Sequence, residues 1–183
     1  MSTLIVKNLD APTGESIVAP NLQLPSGSVV QVRQEHYNSF PSSSDNSAWH
    51  TYQTISITPQ HADSIILIQH VVSYGGVLNA YACGRCIRGS TVIKGADGLY
   101  ADTHYDDASF GMNTNNSNDK YKVWNTYFQS KDTPNTTAET TYTFQYKPDL
   151  ASRQVTINYS QTNPGNGYVP PAWTSTILME VRP

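Results

Sequence analysis

The sequence predicts an all-β protein: an antiparallel β-sandwich of jelly-roll-like form, preceded by an extended N-terminal arm. Three observations carry this expectation. Roughly eight or nine short runs rich in β-branched and aromatic residues are separated by turns of Gly, Pro, Asn and Asp. Helical spacing of apolar residues never appears. Only 14% of residues are charged, against about 25% in an average protein. Ser, Thr and Asn supply the polarity instead, and there are 12 Tyr, which suits pleated, half-buried surfaces joined by turns.

At 183 residues the chain suits one sandwich domain with a sizeable core. The division expected is an arm over residues 1–28 and a sandwich over 29–183. "SVVQVRQEHY" alternates, with Val30 and Val32 on one face and Gln31 and Arg33 on the other. "SFPSSSDNSAWH" is a polar loop, and "TISI" places Ile55 and Ile57 together. "IILIQHVV" (65–72) is apolar apart from Gln69 and His70, so it predicts a central strand covered on both faces. Gly75-Gly76 predicts a hairpin turn, followed by "VLNAYAC" and "RCIRGSTVI", then a turn over 94–98. Residues 99–120 are rich in Asp and Asn and poor in aliphatics, which predicts a long exposed excursion. "YKVWNTYFQS" resumes the strands. "TTYTFQYKP" puts Tyr142, Phe144 and Tyr146 on one face, and "RQVTINYS" does the same for Val155, Ile157 and Tyr159. "NPGNGYVPP" is a loop before the last strand, "STILMEV".

Several functional classes are disfavoured. A net charge of -3 and a pI near 5.9 lack the basic footprint of a nucleic-acid binder. No run approaches the roughly 18 apolar residues of a membrane span. "MSTLIVKNLDAPTGESIVAP" has too short an apolar run for a secretory signal, and Asp10 and Glu15 follow it.

Cys83 and Cys86 form the C-x-x-C of "ACGRC". With no second pair and no His-x₃₋₅-His they make no zinc site. Amid strands they lack the helix N-terminus of a redox dithiol, leaving packed thiols or a strained turn disulfide. In "ADTHYDD", Asp102, His104 and Asp106 would share one side of a strand. One such row per subunit near a threefold axis could trap a divalent ion; the alternative is a solvated loop containing a histidine. No G-x-S-x-G elbow is present, and no pair of the 14 acids stands out as a glycosidase couple. Only geometry would reveal a triad using His36, His50, His61, His70 or His104. No catalytic residue and no cofactor is expected. Tyr100, His104, Tyr105 and Phe110 are candidate receptor-facing groups in the excursion, where aromatics beside amides could stack on sugars. Trp124 and Tyr127 fit the core of the next strand better.

The leading segment poses an energetic problem. Ordering residues 1–28 costs roughly 30–50 kcal/mol at 1–2 kcal/mol per residue. Burying Leu4, Ile5, Val6 and Leu9 returns about 1.5–3 kcal/mol each. These four candidate anchors therefore need backbone pairing as well, which an exposed sheet edge on another chain offers by strand addition. Pro20 and Pro25 interrupt any long strand, so a hooked docking arm is expected.

In order along the chain, "SGSVVQV", "TISITPQHADSIILI", "CIRGSTVIKGADG", "DTPNTTAETTYTFQY", "VTINYS" and "STILMEV" resemble a β-sandwich module of tailed-phage virion proteins, especially those of phages infecting aquatic bacteria. The likeness covers roughly residues 26–183, and "MSTLIVKNLDAPTG" resembles the short segment with which many such proteins begin. The resemblance implies a virion location, a homotrimer, contact with other capsid or tail proteins, and no catalysis. It supplies no receptor-binding residues. No coiled-coil, collagen-like or β-helical shaft is present, so the sandwich would sit close to its attachment point. The expected role is a capsid-decoration or cement protein docked by its arm. A short tail fibre binding a host receptor or glycan is the alternative, and a carbohydrate-active enzyme or lectin-like module is the alternative from another class.

Overall fold

The computed structural model describes residues 25–76, 81–94, 107–113, 122–160 and 172–183. Among them the chain forms β1 (Val29–Tyr37), β2 (Ser42–Ser43), β3 (His50–Ile57), β4 (Ile65–Gly76), β5 (Tyr81–Arg88), β6 (Thr91–Ile93), β7 (Phe110–Asn113), β8 (Trp124–Asp132), β9 (Thr140–Pro148), β10 (Val155–Ile157) and β11 (Thr174–Val181). No helix occurs among the described residues. Two antiparallel sheets face each other. Sheet A runs β1-β11-β4-β10-β2 with β8 on the other edge of β4; sheet B runs β3-β9-β5-β6 with β7 beside β5. The all-β sandwich expected from the alternating runs is what the chain builds.

The core forms where the inward rows of both sheets meet. Sheet B contributes Ile55, Ile57, Tyr142, Phe144, Tyr146 and Cys86; sheet A contributes Ile66, Ile68, Val72, Leu178 and Phe128. Each wholly buried aliphatic or aromatic side chain contributes about 1.5–3 kcal/mol of transfer free energy. This interior drives the two sheets together.

Several expectations need correction. β4 is central within its sheet, paired with β11 on one edge and β8 on the other, but it is not covered on both faces. Ile66, Ile68, His70 and Val72 are buried, whereas Ile65, Leu67 and Gln69 are only half-buried and Val71 is exposed. An antiparallel sheet commonly leaves one face open in this way. Gly75-Gly76 is not a turn either. Both residues lie in β4, opposite Thr156 and Val155 of β10. A Cβ on Gly75 would stand 2.4 Å from the Tyr159 carbonyl oxygen and 2.7 Å from the Ser160 Cα. The glycine is there because backbone approaches backbone. Gly75→Ala should therefore force β4 away from the 159–160 segment, with a loss of about 1–3 kcal/mol measurable by denaturant titration; an unchanged midpoint would show that the approach is not tight.

The excursion over 99–120 is interrupted by β7, which pairs with β5. Its two apolar side chains, Phe110 and Met112, alternate inward, too short a signal amid Asp and Asn to read as a strand. Residues 99–106 and 114–120 lie outside the described residues. The alternation of "VTINYS" stops at Asn158, which has φ 66°, so Tyr159 leaves the row of Val155 and Ile157. A bulge between Val29 and Gln31 resets β1. Val29 and Val32, 52% and 54% exposed, then face outward rather than toward the core. Trp124 packs against the core as expected, but Tyr127, three positions on and therefore across the strand, is 54% exposed.

Candidate functional site

Buried between the sheets is a directional chain of polar groups. The Tyr52 hydroxyl lies 2.7 Å from His70 Nε2, His70 Nδ1 lies 2.8 Å from Thr176 Oγ1, and Thr176 Oγ1 donates to Gln53 Oε1 at 2.9 Å. Because Thr176 gives its proton to Gln53, it accepts from His70 Nδ1–H, and Nε2 accepts from Tyr52. The ring is thereby fixed in one neutral tautomer and stacked on Phe144, with centroids 4.0 Å apart. Burial depresses the His70 pKa to about 3 and raises that of Tyr52 well above its ordinary value. Neither group is poised for proton transfer near neutrality.

A second hub is Glu180, also fully buried. One carboxylate oxygen accepts from Ser64 Oγ at 2.6 Å and from the backbone N–H groups of Gln60 at 2.8 Å and His61 at 3.2 Å; the other accepts from Gln31 Nε2 at 2.6 Å. Burial alone would raise its pKa. The hydrogen bonds from Ser64, Gln31 and the two amides outweigh that and hold it below the usual carboxylate value. Asp132 closes the opposite side of the sandwich, accepting from Arg88 Nε at 2.6 Å, Arg88 Nη2 at 3.2 Å and the Tyr142 hydroxyl at 2.8 Å. Both hubs join separate strands.

At His50 the geometry does not form a triad. Ser43 Oγ lies 2.9 Å from His50 Nε2, and the Asp45 carboxylate lies 3.8 Å from that same nitrogen. A triad needs the acid on the other ring nitrogen, so Ser43, His50 and Asp45 do not make one. Asp45 instead accepts from the Ser47 N–H and hydroxyl, the geometry of a local turn. Cys83 and Cys86 are both free thiols on opposite faces of β5. Burial, reinforced by Asp149, pushes Cys83 up to about 12, and burial raises Cys86 as well. The pair is packed, neither bridged nor activated.

Of the residues singled out from sequence, Phe110 is placed and is not receptor-facing. It is 6% exposed and packs against His70 and Phe128. Its strand register with Gly84 explains this, because the absence of a side chain at Gly84 leaves room for the Phe110 ring; a Cβ there would lie 2.0 Å from it. Asp102, His104, Asp106, Tyr100 and Tyr105 lie outside the described residues, as do Leu4, Ile5, Val6 and Leu9. Among the described residues no cluster of three metal-ligating side chains occurs.

The two outer faces differ in chemistry. The outer face of sheet B carries Thr51, Thr54 and Ser56 from β3, Thr141, Thr143, Gln145 and Lys147 from β9, and Arg85 from β5. These groups are cross-linked: Ser56 and Thr141 hydroxyls at 2.7 Å, Gln145 Nε2 to Thr51 Oγ1 at 2.9 Å, and Arg85 Nε to Gln145 Oε1 at 2.7 Å. The Arg85 guanidinium lies 4.3 Å over the Trp49 ring, a cation–π contact. Among the described residues this face sets a lattice of hydroxyl and amide groups beside one indole. Its Thr-x-Thr-x-Gln-x-Lys row was legible in "TTYTFQYK"; Trp49, at the end of a polar loop, gave no signal. The outer face of sheet A, by contrast, is more apolar than polar.

The sequence matches no known protein family and no curated protein. Among solved structures it is similar to one of infectious bursal disease virus, Gx strain, at TM-score 0.37 and 11% identity, over 84% of this chain and 37% of that chain. It is likewise similar to the VP2 subviral particle of infectious bursal disease virus at TM-score 0.39 and 11% identity, over 90% of this chain and 43% of that chain. The chain thus spans less than half the length of these two structures' chains.

Proposed function

We propose that this chain is a non-enzymatic virion structural protein, a homotrimeric capsid-decoration or cement protein of a tailed phage. Residues 1–28 form its docking arm, with Leu4, Ile5, Val6 and Leu9 as anchors, and the sandwich projects outward. The observation that supports this reading most is the use the sandwich makes of its buried acids and bases. His70, Glu180 and Asp132 each tie strands together, and both thiols are packed. Such groups make a stiff scaffold rather than a reaction site. The sequence resemblance described above points the same way.

The hydroxyl-rich face around Trp49 and Arg85 favours a second reading, a short tail fibre whose outer surface meets a host glycan. In that reading Tyr100, His104 and Tyr105 add receptor contacts. A lectin-like module would use the same face without any virion. An ion held by Asp102, His104 and Asp106 from three subunits would be a feature of the trimer in either virion role.

Deleting residues 1–24 tests the reading while sparing Gly27 and Ser28, whose backbones pair with Arg182. The shortened chain should fold yet fail to join particles. Particles lacking it should adsorb to host cells normally and break at lower temperature. Loss of adsorption would favour the fibre, and normal incorporation of the shortened chain would refute the docking arm. Glycan binding by the isolated domain would favour the lectin-like alternative.

A further inference from the structure

The outer face of sheet A is a regular four-strand surface. Strand register aligns its side chains in rows across β1, β11, β4 and β8. Val29, Val181 and Ile65 form the first row; Val32, Met179, Leu67 and Lys131 the second; Gln34, Ile177, Gln69 and Gln129 the third; His36, Ser175, Val71 and Tyr127 the fourth. Nine of these positions are aliphatic, thioether or aromatic, and Val29, Val32, Val71 and Tyr127 are openly exposed. In β11 the polarity is inverted relative to an ordinary surface strand. Its inward row is Thr174, Thr176, Leu178 and Glu180, while Ile177, Met179 and Val181 face out. A surface that places its isoleucine and methionine outward and its glutamate inward is built to be covered.

We propose that this face is covered by a second copy of the same chain, so that the sheet A faces of neighbouring subunits pack together. The inference rests on the reading of the protein as one that self-associates; a contact between two like faces is two-fold, so it would join subunits in pairs, one from each of two neighbouring trimers, rather than close the trimer itself. Charge supports a copy as the occupant. The centre of the face holds no ionised group, with Lys131 and His36 confined to its two margins. An acidic protein of net charge -3 meeting itself must do so where its carboxylates are not, and the rows contain none. Shape supports it too, because a second sheet can pack on such a face about 10 Å away with strands nearly aligned. Four strands by seven residues span on the order of 400–500 Å². Two such faces in contact remove on the order of 1,000 Å², near the lower bound for a specific interface, and the apolar side chains are concentrated in the first two rows, where six of seven positions are apolar.

The test uses the full chain in sedimentation velocity across a hundredfold concentration range. The unaltered protein should associate. Leu67→Lys with Met179→Lys should weaken association at least tenfold, while Thr143→Lys on the outer face of sheet B should leave it unchanged. Because the double variant could misfold, a second measurement uses Val71→Cys: its reactivity toward a maleimide should fall at least fivefold as the protein assembles, with Thr143→Cys constant. A monomer at every concentration, a Val71→Cys thiol that stays reactive in the oligomer, or an oligomer abolished by deleting residues 1–24 but indifferent to the lysines would each overturn the proposal. Particle incorporation is scored separately. A lysine variant that self-associates like the unaltered protein and still joins particles would refute the interface while leaving the virion role intact.

Discussion

Lowering the pH from 7 to 4.5 at fixed protein concentration should reduce the melting temperature by about 5–10 °C, and His70 should account for most of that fall. The folded state holds His70 neutral, with a pKa of about 3 caused by burial, while in the unfolded chain it titrates near its ordinary value of about 6.5. Below pH 6.5 the unfolded chain therefore binds a proton that the folded one refuses. Stability from this group is fully present above pH 6.5 and is lost progressively as the pH falls toward 3, at about 1.4 kcal/mol per pH unit. From pH 7 to 4.5 the loss is roughly 2.5 kcal/mol, and a chain of this size loses about 2–4 °C per kcal/mol. Proton uptake would break the chain from Tyr52 through His70 to Thr176 and Gln53, since a doubly protonated ring can no longer accept from Tyr52. His70→Gln should be less stable at pH 7, because it leaves a gap against Phe144, yet its melting temperature should change less than half as much over the same pH range. An equal pH dependence in both proteins would remove His70 as the acid-sensitive group.

The same residue shows what the sequence did and did not disclose. "IILIQHVV" marks a strand, but a run apolar at both parities does not say which face is buried. The register of β4 against β11 and β8 decides that, placing His70 inside and Leu67 outside. "STILMEV" is more deceptive, because three of its four apolar residues, Ile177, Met179 and Val181, share the parity that faces out, and only Leu178 faces in. A one-residue shift exchanges the two faces of a strand, and only the need of Ser64 and the Gln60 and His61 amides for an acceptor explains why Glu180 is inward. The row Tyr142, Phe144 and Tyr146 was legible, since one parity there is aromatic and the other is Thr, Gln and Lys. Phe110 was misread because β7 has only four residues and takes its burial from the space above Gly84, a long-range fact. The buried polar hubs were invisible for the same reason: each joins residues distant in sequence, and composition carries no trace of which donors an acid will meet.

Glu180 sets up the second large effect, which separates charge from shape. Replacing it with Ala should destabilise the protein by about 3–5 kcal/mol, the cost of leaving buried donors without their ionised partner. Three of those donors converge on one oxygen: Ser64 Oγ and the Gln60 and His61 amides. Glu180→Gln can keep a carbonyl oxygen for these three donors and loses only the bond from Gln31 Nε2, which still donates to the Thr58 carbonyl at 2.6 Å. The glutamine variant should therefore lose only about 1–2 kcal/mol, the difference between charge-assisted and neutral hydrogen bonds. The pH response gives an independent reading. Because hydrogen bonding holds the Glu180 carboxyl below its ordinary value, its contribution is present above about pH 4.5 and disappears as the pH falls through the lowered folded value. The glutamine variant has no such proton to take up, so its deficit relative to the unaltered protein should narrow in acid. The alanine deficit should narrow as well, but a gap between the two variants should persist, because the orphaned amides of Gln60 and His61 do not depend on that proton. Amide exchange at those two positions should be fastest in Glu180→Ala. If the two variants prove equally stable, or if the Gln60 and His61 amides exchange no faster in either, Glu180 does not pin the 58–64 turn to β11, and the inverted polarity of the last strand would need another cause.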